Sequence, residues 1–276
     1  MRVLGKSWRS LAVNSMAIAA ALVFLFPYLY MVASALKKRL EVFAYPPIWV
    51  FHPSLENFKL AFTKYSLGTY LLNSAIVSLS ATALTFLLAL PATLAIARFR
   101  FRFREGIAYS FLIMQLLPAI ALVFAYFYLF TRLGMIDTPW VLTLTYQLWN
   151  VPWAIWMLRG FIEDIPVALE EAAMTDGCTR LEAFRRVTLP VAAPGLAAAG
   201  ILIFIGSWNE FTLAFFLTSL RARTLPTTIG FFLTHSGIEW GPMFATATIA
   251  TLPIVLFSLV VRKYFISALT FGAVKG

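Results

Sequence analysis

The chain has 276 residues, of which 61% are hydrophobic and 12% charged. Soluble domains carry roughly 25% charged residues, so one or two soluble globular domains are excluded. The formal net charge of +10 does not indicate nucleic acid. The basic residues gather at the ends of apolar runs, where Lys and Arg fix orientation and meet anionic lipid headgroups.

Six apolar stretches are long enough to approach the about 20 residues that a membrane helix needs. In chain order they are 11–34, 71–97, 107–131, 139–158, 194–218 and 243–262. The expected fold is therefore an all-α integral membrane protein, a single six-span domain over residues 1–276 with a helix-turn-helix insert between spans four and five. Arg2, Lys6 and Arg9 precede the first run as in a signal peptide, but the run is too long and lacks a small-x-small cleavage site, so it reads as a retained span. Residues 35–70, with Pro46-Pro47 and Pro53, form a long outer loop, and residues 219–242 a turn-rich one. Pro27, Pro91, Pro118, Pro152 and Pro253 lie in or near spans, where neighbouring helices tolerate kinks.

An even number of spans puts both termini on one side. Placing them inside collects 14 of the 22 basic residues there, including Arg98, Arg100, Arg102 and Arg104 of the second loop. Lys37-Lys38-Arg39, directly after the first span, opposes this orientation.

Spans four and five are separated by the charged stretch RGFIEDIPVALEEAAMTDGCTRLEAFRRVTLPVAAPG. Asp164 before Pro166 predicts an N-cap, Val167–Met174 a helix, and Gly177 the left-handed position past its end. Thr179 and Glu182 have capping-box spacing and start a second helix, which Leu189-Pro190 closes. Small Ala172 and Ala173 permit close approach, and Glu170, Glu171, Arg185 and Arg186 offer charge pairing. On these residues alone a docking knob for a soluble partner and an amphipathic pair lying on the membrane interface are both open. A DNA-reading helix-turn-helix is disfavoured by the spans on either side.

The spacing Glu171-Ala172-Ala173, Gly177, Val187-x-Leu189-Pro190 resembles the cytoplasmic loop of integral membrane subunits of bacterial ABC importers. Asp176, Phe184, Pro194-Gly195, Ser207-Trp208-Asn209 and the ending Gly272-Ala273-Val274-Lys275-Gly276 resemble the smaller permease of the maltose-type carbohydrate branch. Cys178 stands where a small residue such as Ala is usual. The resemblance implies a permease subunit in a bacterial or archaeal cytoplasmic (inner) membrane, with both termini cytoplasmic. Its partners would be a second homologous permease, two copies of a nucleotide-binding ATPase and an extracellular solute-binding protein. It implies no cofactor in this chain, ATP and Mg being held by the ATPase. It assigns Glu171 a polar contact in the ATPase cleft, shaped by Ala172, Ala173 and Gly177. The cargo it implies is a sugar or related polyol, with glycerol phosphate or polyamine as alternatives.

Glu210 sits in an apolar run with Trp208, Asn209, Phe211 and Thr212. An acidic residue there costs roughly 2.5–3.5 kcal/mol at mid-bilayer, which suits either a substrate path or a structural polar contact. Asn73, Gln115, Gln147 and Asn150 are read as interhelical hydrogen bonders, and His52 and His235 as surface residues. The single Cys178 excludes an internal disulfide. With no G-x-x-x-x-G-K-[ST] loop, ATP must be bound by another chain. No H-E-x-x-H or nucleophile elbow marks a catalytic site, which disfavours a membrane enzyme. A self-contained secondary transporter would need its own coupling-ion site and would leave the insert without a purpose.

Overall fold

The computed structural model describes residues 2–234 and 237–273, with side chains over 10–234 and 237–259. His235 and Val274, Lys275 and Gly276 of the C-terminal ending lie outside the described residues. Three helices are long and apolar enough to cross a membrane on their own: Ser10–Ala35, Leu67–Arg98 and Trp240–Leu259. Pro27, Pro91 and Pro253 lie inside these helices without ending them. Two further apolar stretches are bent pairs, Arg104–Met114 with Ala119–Arg132 at 92° and Arg180–Val191 with Ala193–Asn209 at 76°. The described residues thus hold three spanning-length helices, or up to five if each bent pair is one span.

The expected spans at 107–131, 139–158 and 194–218 are each interrupted. Gln115–Pro118 separates the first pair, because Pro118 has no N–H to continue a helix. The second is split at Tyr146 into Pro139–Thr145 and Gln147–Glu163. The third stops at Asn209, and a short helix restarts at Thr212–Leu217.

The chain divides into two compact units, Met1–Gly68 with Ile229–Pro253, and Thr69–Thr228 with Ile254–Gly276. In the first, the helix Arg2–Ala35 ends in a turn held by Asn57, whose Nδ2 donates to the carbonyls of Ala35 (2.8 Å) and Lys37 (2.7 Å). The terminal carbonyls of a helix have no partner of their own, and this amide supplies one. Lys37 is 3% exposed. Its ammonium stands 5.6, 5.9 and 5.3 Å from the ring centroids of Tyr30, Trp49 and Phe51, within cation–π range. Lys38 and Glu41 then cap the short helix Arg39–Val42.

The same unit carries helix Glu56–Thr63, a 3-10 turn over Leu225–Phe232 that runs into it, and an antiparallel hairpin pairing Leu233 with Ile238 and Thr234 with Gly237. Glu239 accepts from Lys64 Nζ at 2.8 Å and from Tyr65 Oη at 2.6 Å, and the Lys64 bond holds the Glu239 carboxyl below the ordinary carboxylate range.

In the second unit, one core gathers Val77, Val123, Leu142, Tyr146 and Leu213, and another Ala89, Ile96, Ile155, Leu158 and Ile203. The polar residues of the apolar helices bond across elements. Thr85 Oγ1 donates to Gln147 Oε1 (2.9 Å), Asn150 Nδ2 to Ser207 Oγ (3.0 Å), Gln115 Nε2 to the Trp149 carbonyl (2.8 Å) and Asn73 Nδ2 to the Arg221 and Arg223 carbonyls (2.8 and 2.9 Å). Such bonds replace the water that lipid does not provide.

Asp137, at φ 60°, accepts from the backbone N–H groups of Ser219, Leu220, Arg221 and Ala222 and from Ser219 Oγ, at 2.9–3.2 Å. Partial burial opposes its ionisation, but four backbone donors outweigh it and its pKa falls well below the ordinary value. A depressed folded-state pKa adds stability that is complete above the unfolded value, about 3.9, and is lost as pH drops toward the folded value. Asp137→Ala is therefore expected to cost about 1–2 kcal/mol locally and to speed trypsin cleavage at Arg221 and Arg223 at neutral pH. In the parent chain, pepsin should find the 218–224 loop protected at pH 4–5 and increasingly open below.

Candidate functional site

The insert is built by local signals that the sequence displays. Helix Gln147–Glu163 ends on Asp164, which adopts a helical C-cap conformation. Pro166, extended at ψ 127°, then starts Val167–Thr175. The N-cap expected at Asp164 is corrected to Pro166, because Asp164 is still donating its N–H back to Gly160. Gly177 takes φ +95°, where a side chain is strained, and Cys178 N–H closes the turn onto the Ala173 carbonyl at 3.0 Å. Thr179 accepts from Glu182 N–H (3.4 Å) while the Glu182 carboxylate accepts from Thr179 N–H (2.9 Å), the capping box that opens Arg180–Ala183.

Beyond Ala183 the chain departs from expectation. Leu189-Pro190 does not close the helix. The backbone runs through a π turn at Phe184–Thr188, in which Leu189 N–H reaches the Phe184 carbonyl, continues over Leu189–Val191 and bends only at Ala192. Pro190 lies just after the π turn inside this continuous helix, where it has no N–H to offer the ordinary i→i−4 bond.

The insert thereby acquires two faces. Glu171, Ala172, Asp176 and Gly177 are exposed, with Ala173 half-buried beside them. Leu169 and Leu181 add apolar surface at 45% and 61% exposure. Pro190 is exposed and Leu189 half-buried, whereas Phe184 is packed inside the unit at 5% exposure.

Glu170 is turned the other way. Its Oε1 accepts from Arg98 Nε at 2.8 Å and from Thr188 Oγ1 at 2.6 Å, with the Arg98 and Glu170 side chains 6% and 7% exposed. Arg98 Nη2 also donates to the Ile165 carbonyl at 3.0 Å. The expectation that Glu170 offers its charge to an incoming chain is thus corrected: that charge is already neutralised inside the fold. Two of the second-loop arginines are paired within the fold, Arg98 with Glu170 and Arg104 with Glu105 and Glu163. Arg98 and Thr188 are the functional candidates that sequence reasoning missed. Arg98 lies 72 residues from Glu170, and no spacing rule relates positions so far apart.

The second predicted cluster also separates. Trp208 is 3% exposed and stacks on Phe204 at 5.5 Å, so in this conformation it is core. Asn209 is exposed and bonds its own helix at the Ile205 carbonyl, and Phe211 stacks on Phe215 at 5.3 Å. Thr212 begins the short helix whose first turn Glu210 caps: the carboxylate accepts from Leu213 N–H (2.8 Å) and Ala214 N–H (3.1 Å). Glu210 is extended at ψ 124° and interrupts the apolar helix, which gives an acidic residue in a span a structural duty. Pro194-Gly195 marks a close crossing, because a Cβ on Gly195 would clash with the Phe161 ring.

Residues 87–270 match the family described as binding-protein-dependent transport system inner membrane component. The chain belongs to this family. The permease is 35% identical to the diacetylchitobiose uptake system permease DasC of Streptomyces coelicolor, over 95% of this chain and 96% of that one. It is 34% identical to the trehalose/maltose transport system permease MalG of Thermococcus litoralis, over 94% and 95%. Its fold is similar to that of a bacterial ABC transporter involved in import of the acidic polysaccharide alginate, with a TM-score of 0.75, 20% identity and coverage of 92% and 95%. The family is a membrane transport component and not an enzyme, and its name places it in an inner membrane.

For the permease, Gly195→Ala is expected to destabilise by about 1–3 kcal/mol through overpacking against Phe161. Thermal unfolding in detergent should show a lowered midpoint, and Phe161→Leu in the same chain should recover part of it.

Proposed function

We propose that this chain is one half of the translocation path of an ATP-driven sugar importer, and that the 167–177 segment is where a cytoplasmic ATPase docks. The observation that carries this reading is the exposed set Glu171 and Ala172 on a short helix, with Asp176 and Gly177 just past its end, on a segment pinned by the buried ion pair of Glu170. Small residues let a partner surface approach closely. An exposed carboxylate supplies an orienting charge contact, which at an interface rim governs encounter and register. In this arrangement the polypeptide crosses the membrane six times, residues 104–132, 139–163 and 193–217 acting as interrupted spans, with the insert and both termini in the cytoplasm.

The partners are a second, related permease, two ATPase copies that bind ATP and Mg, and an external binding protein that delivers cargo. The first helix supports the need for a partner permease or lipid, since none of its apolar window is buried within the chain. A sugar cargo is favoured by the two relatives, whose names specify diacetylchitobiose and trehalose or maltose. Trp208 and Glu210 would serve the path from behind its lining, by holding the break at 209–211 in shape. Phe211 and Asn209 are the exposed members of that group.

Glu171→Lys is expected to lower ATPase co-purification and sugar uptake by roughly 10-fold or more, about 1.4 kcal/mol, while the binding protein keeps its affinity for cargo. Pull-down of the ATPase from membranes and calorimetry of the binding protein against trehalose, maltose and chitobiose check both halves. Unchanged pull-down and uptake in Glu171→Lys would remove the docking role, and a binding protein that takes none of these sugars would remove the cargo reading.

A further inference from the structure

Glu170, Arg98 and Thr188 join three separate elements: the helix Val167–Thr175, the last residue of Leu67–Arg98 and the π turn Phe184–Thr188. All three meet at one oxygen, Glu170 Oε1, which takes the Arg98 Nε–H and the Thr188 hydroxyl together. A second tie runs in parallel, with the Arg180 guanidinium 5.0 Å from the ring centroid of Phe99, the residue after Arg98. The principal packing of the 167–175 helix is otherwise against the 180–188 segment that follows it. The ion pair is therefore a point at which the insert is fixed to the long apolar helix.

A buried pair of this kind is weak evidence for stability, since well-packed hydrophobic residues in its place are often neutral or better. What it supplies is direction: two short donor–acceptor contacts and a guanidinium fork fix angle as well as distance. Apolar packing alone would let the helix slide.

We propose that Arg98–Glu170–Thr188 is a mechanical latch, through which displacement of the insert is delivered to the Leu67–Arg98 span. The proposal rests on the docking reading above. Glu171 and Glu170, adjacent in sequence and about 100° apart around one helix, the first exposed and the second buried, then divide the work: Glu171 meets the ATPase and Glu170 holds the span. Both latch residues act by positioning, and neither touches cargo or nucleotide.

The test uses the whole complex, permeases with ATPase, in lipid nanodiscs. Cys178 is the only cysteine of this chain and sits in the insert's turn, half-buried, where bimane can be attached. A second preparation carries bimane at Ala83→Cys, an exposed position on the Leu67–Arg98 helix, in a Cys178→Ser background. Addition of MgATP with vanadate should shift the emission at both positions in otherwise unaltered protein. In Glu170→Gln and in Arg98→Gln the Cys178 shift should persist while the Ala83→Cys shift falls roughly 5-fold. Thr188→Val, which keeps the charges, should lose part of the span signal, and Arg98→Lys should retain more of it than Arg98→Gln.

A full-sized Ala83→Cys shift in the neutralised variants overturns the latch. Loss of both shifts with the ATPase still bound also overturns it, by making the pair a mere support of the insert's fold. A silent Cys178 in the unaltered complex is a different failure, which removes the docking reading on which the latch depends. If Glu170→Gln and Arg98→Gln do not assemble, Thr188→Val and Arg98→Lys decide by the same two signals.

Discussion

A carboxylate and a guanidinium withdrawn from water at 7% and 6% exposure must satisfy one another, because an unpaired charge in that setting costs several kcal/mol. In this chain that requirement fixes the insert. Glu170 can be buried only if the end of Leu67–Arg98 and the Phe184–Thr188 turn both reach it. Glu171 and Ala172, about 100° and 200° further round the same helix, are exposed. The buried contact thus fixes which side of this helix is turned inward and which is left exposed.

The same bookkeeping of charge explains features that lie far from the insert. Lys37 occupies three aromatic faces, Asp137 a ring of backbone donors, and Glu210 the open end of a short helix. Arg104 and Arg159 share Glu105 and Glu163. Each of these groups sits at an edge where an apolar element stops. A greasy chain has few charged residues, and here most of those near element ends are used to terminate or join helices.

What the sequence made legible follows from the range of the forces involved. The capping box at Thr179 and Glu182 and the left-handed Gly177 depend on neighbours within about one helical turn, and both appear where expected. The family resemblance, carried by Glu171, Ala172, Ala173 and Gly177, agrees with the family match. The breaks at Gln115–Pro118, Tyr146 and Glu210 were not legible, because hydropathy averages over a window and a polar residue or proline inside it barely changes the mean. Lys37 misled for a related reason. A charge count treats every lysine as a headgroup or solvent contact, while this one is enclosed by Tyr30, Trp49 and Phe51, two of which lie in the loop that follows. Glu170 and Arg98 escaped because their pairing is a property of the fold and leaves no local signature.

The π turn at Phe184–Thr188 bears on which sequence lengths this region can accept. A π turn is an α-helix with one residue too many, and removing that residue would restore ordinary pitch. The extra residue is absorbed within the turn itself, so its loss would fall on the positions Phe184–Thr188. Thr188, the last residue of the turn, would then lose the placement that brings its hydroxyl onto Glu170 Oε1. The segment between the Gly177 turn and the Ala192 bend is therefore held to a fixed number of residues by a single buried oxygen. Relatives of this chain should vary in residue type there far more readily than in length.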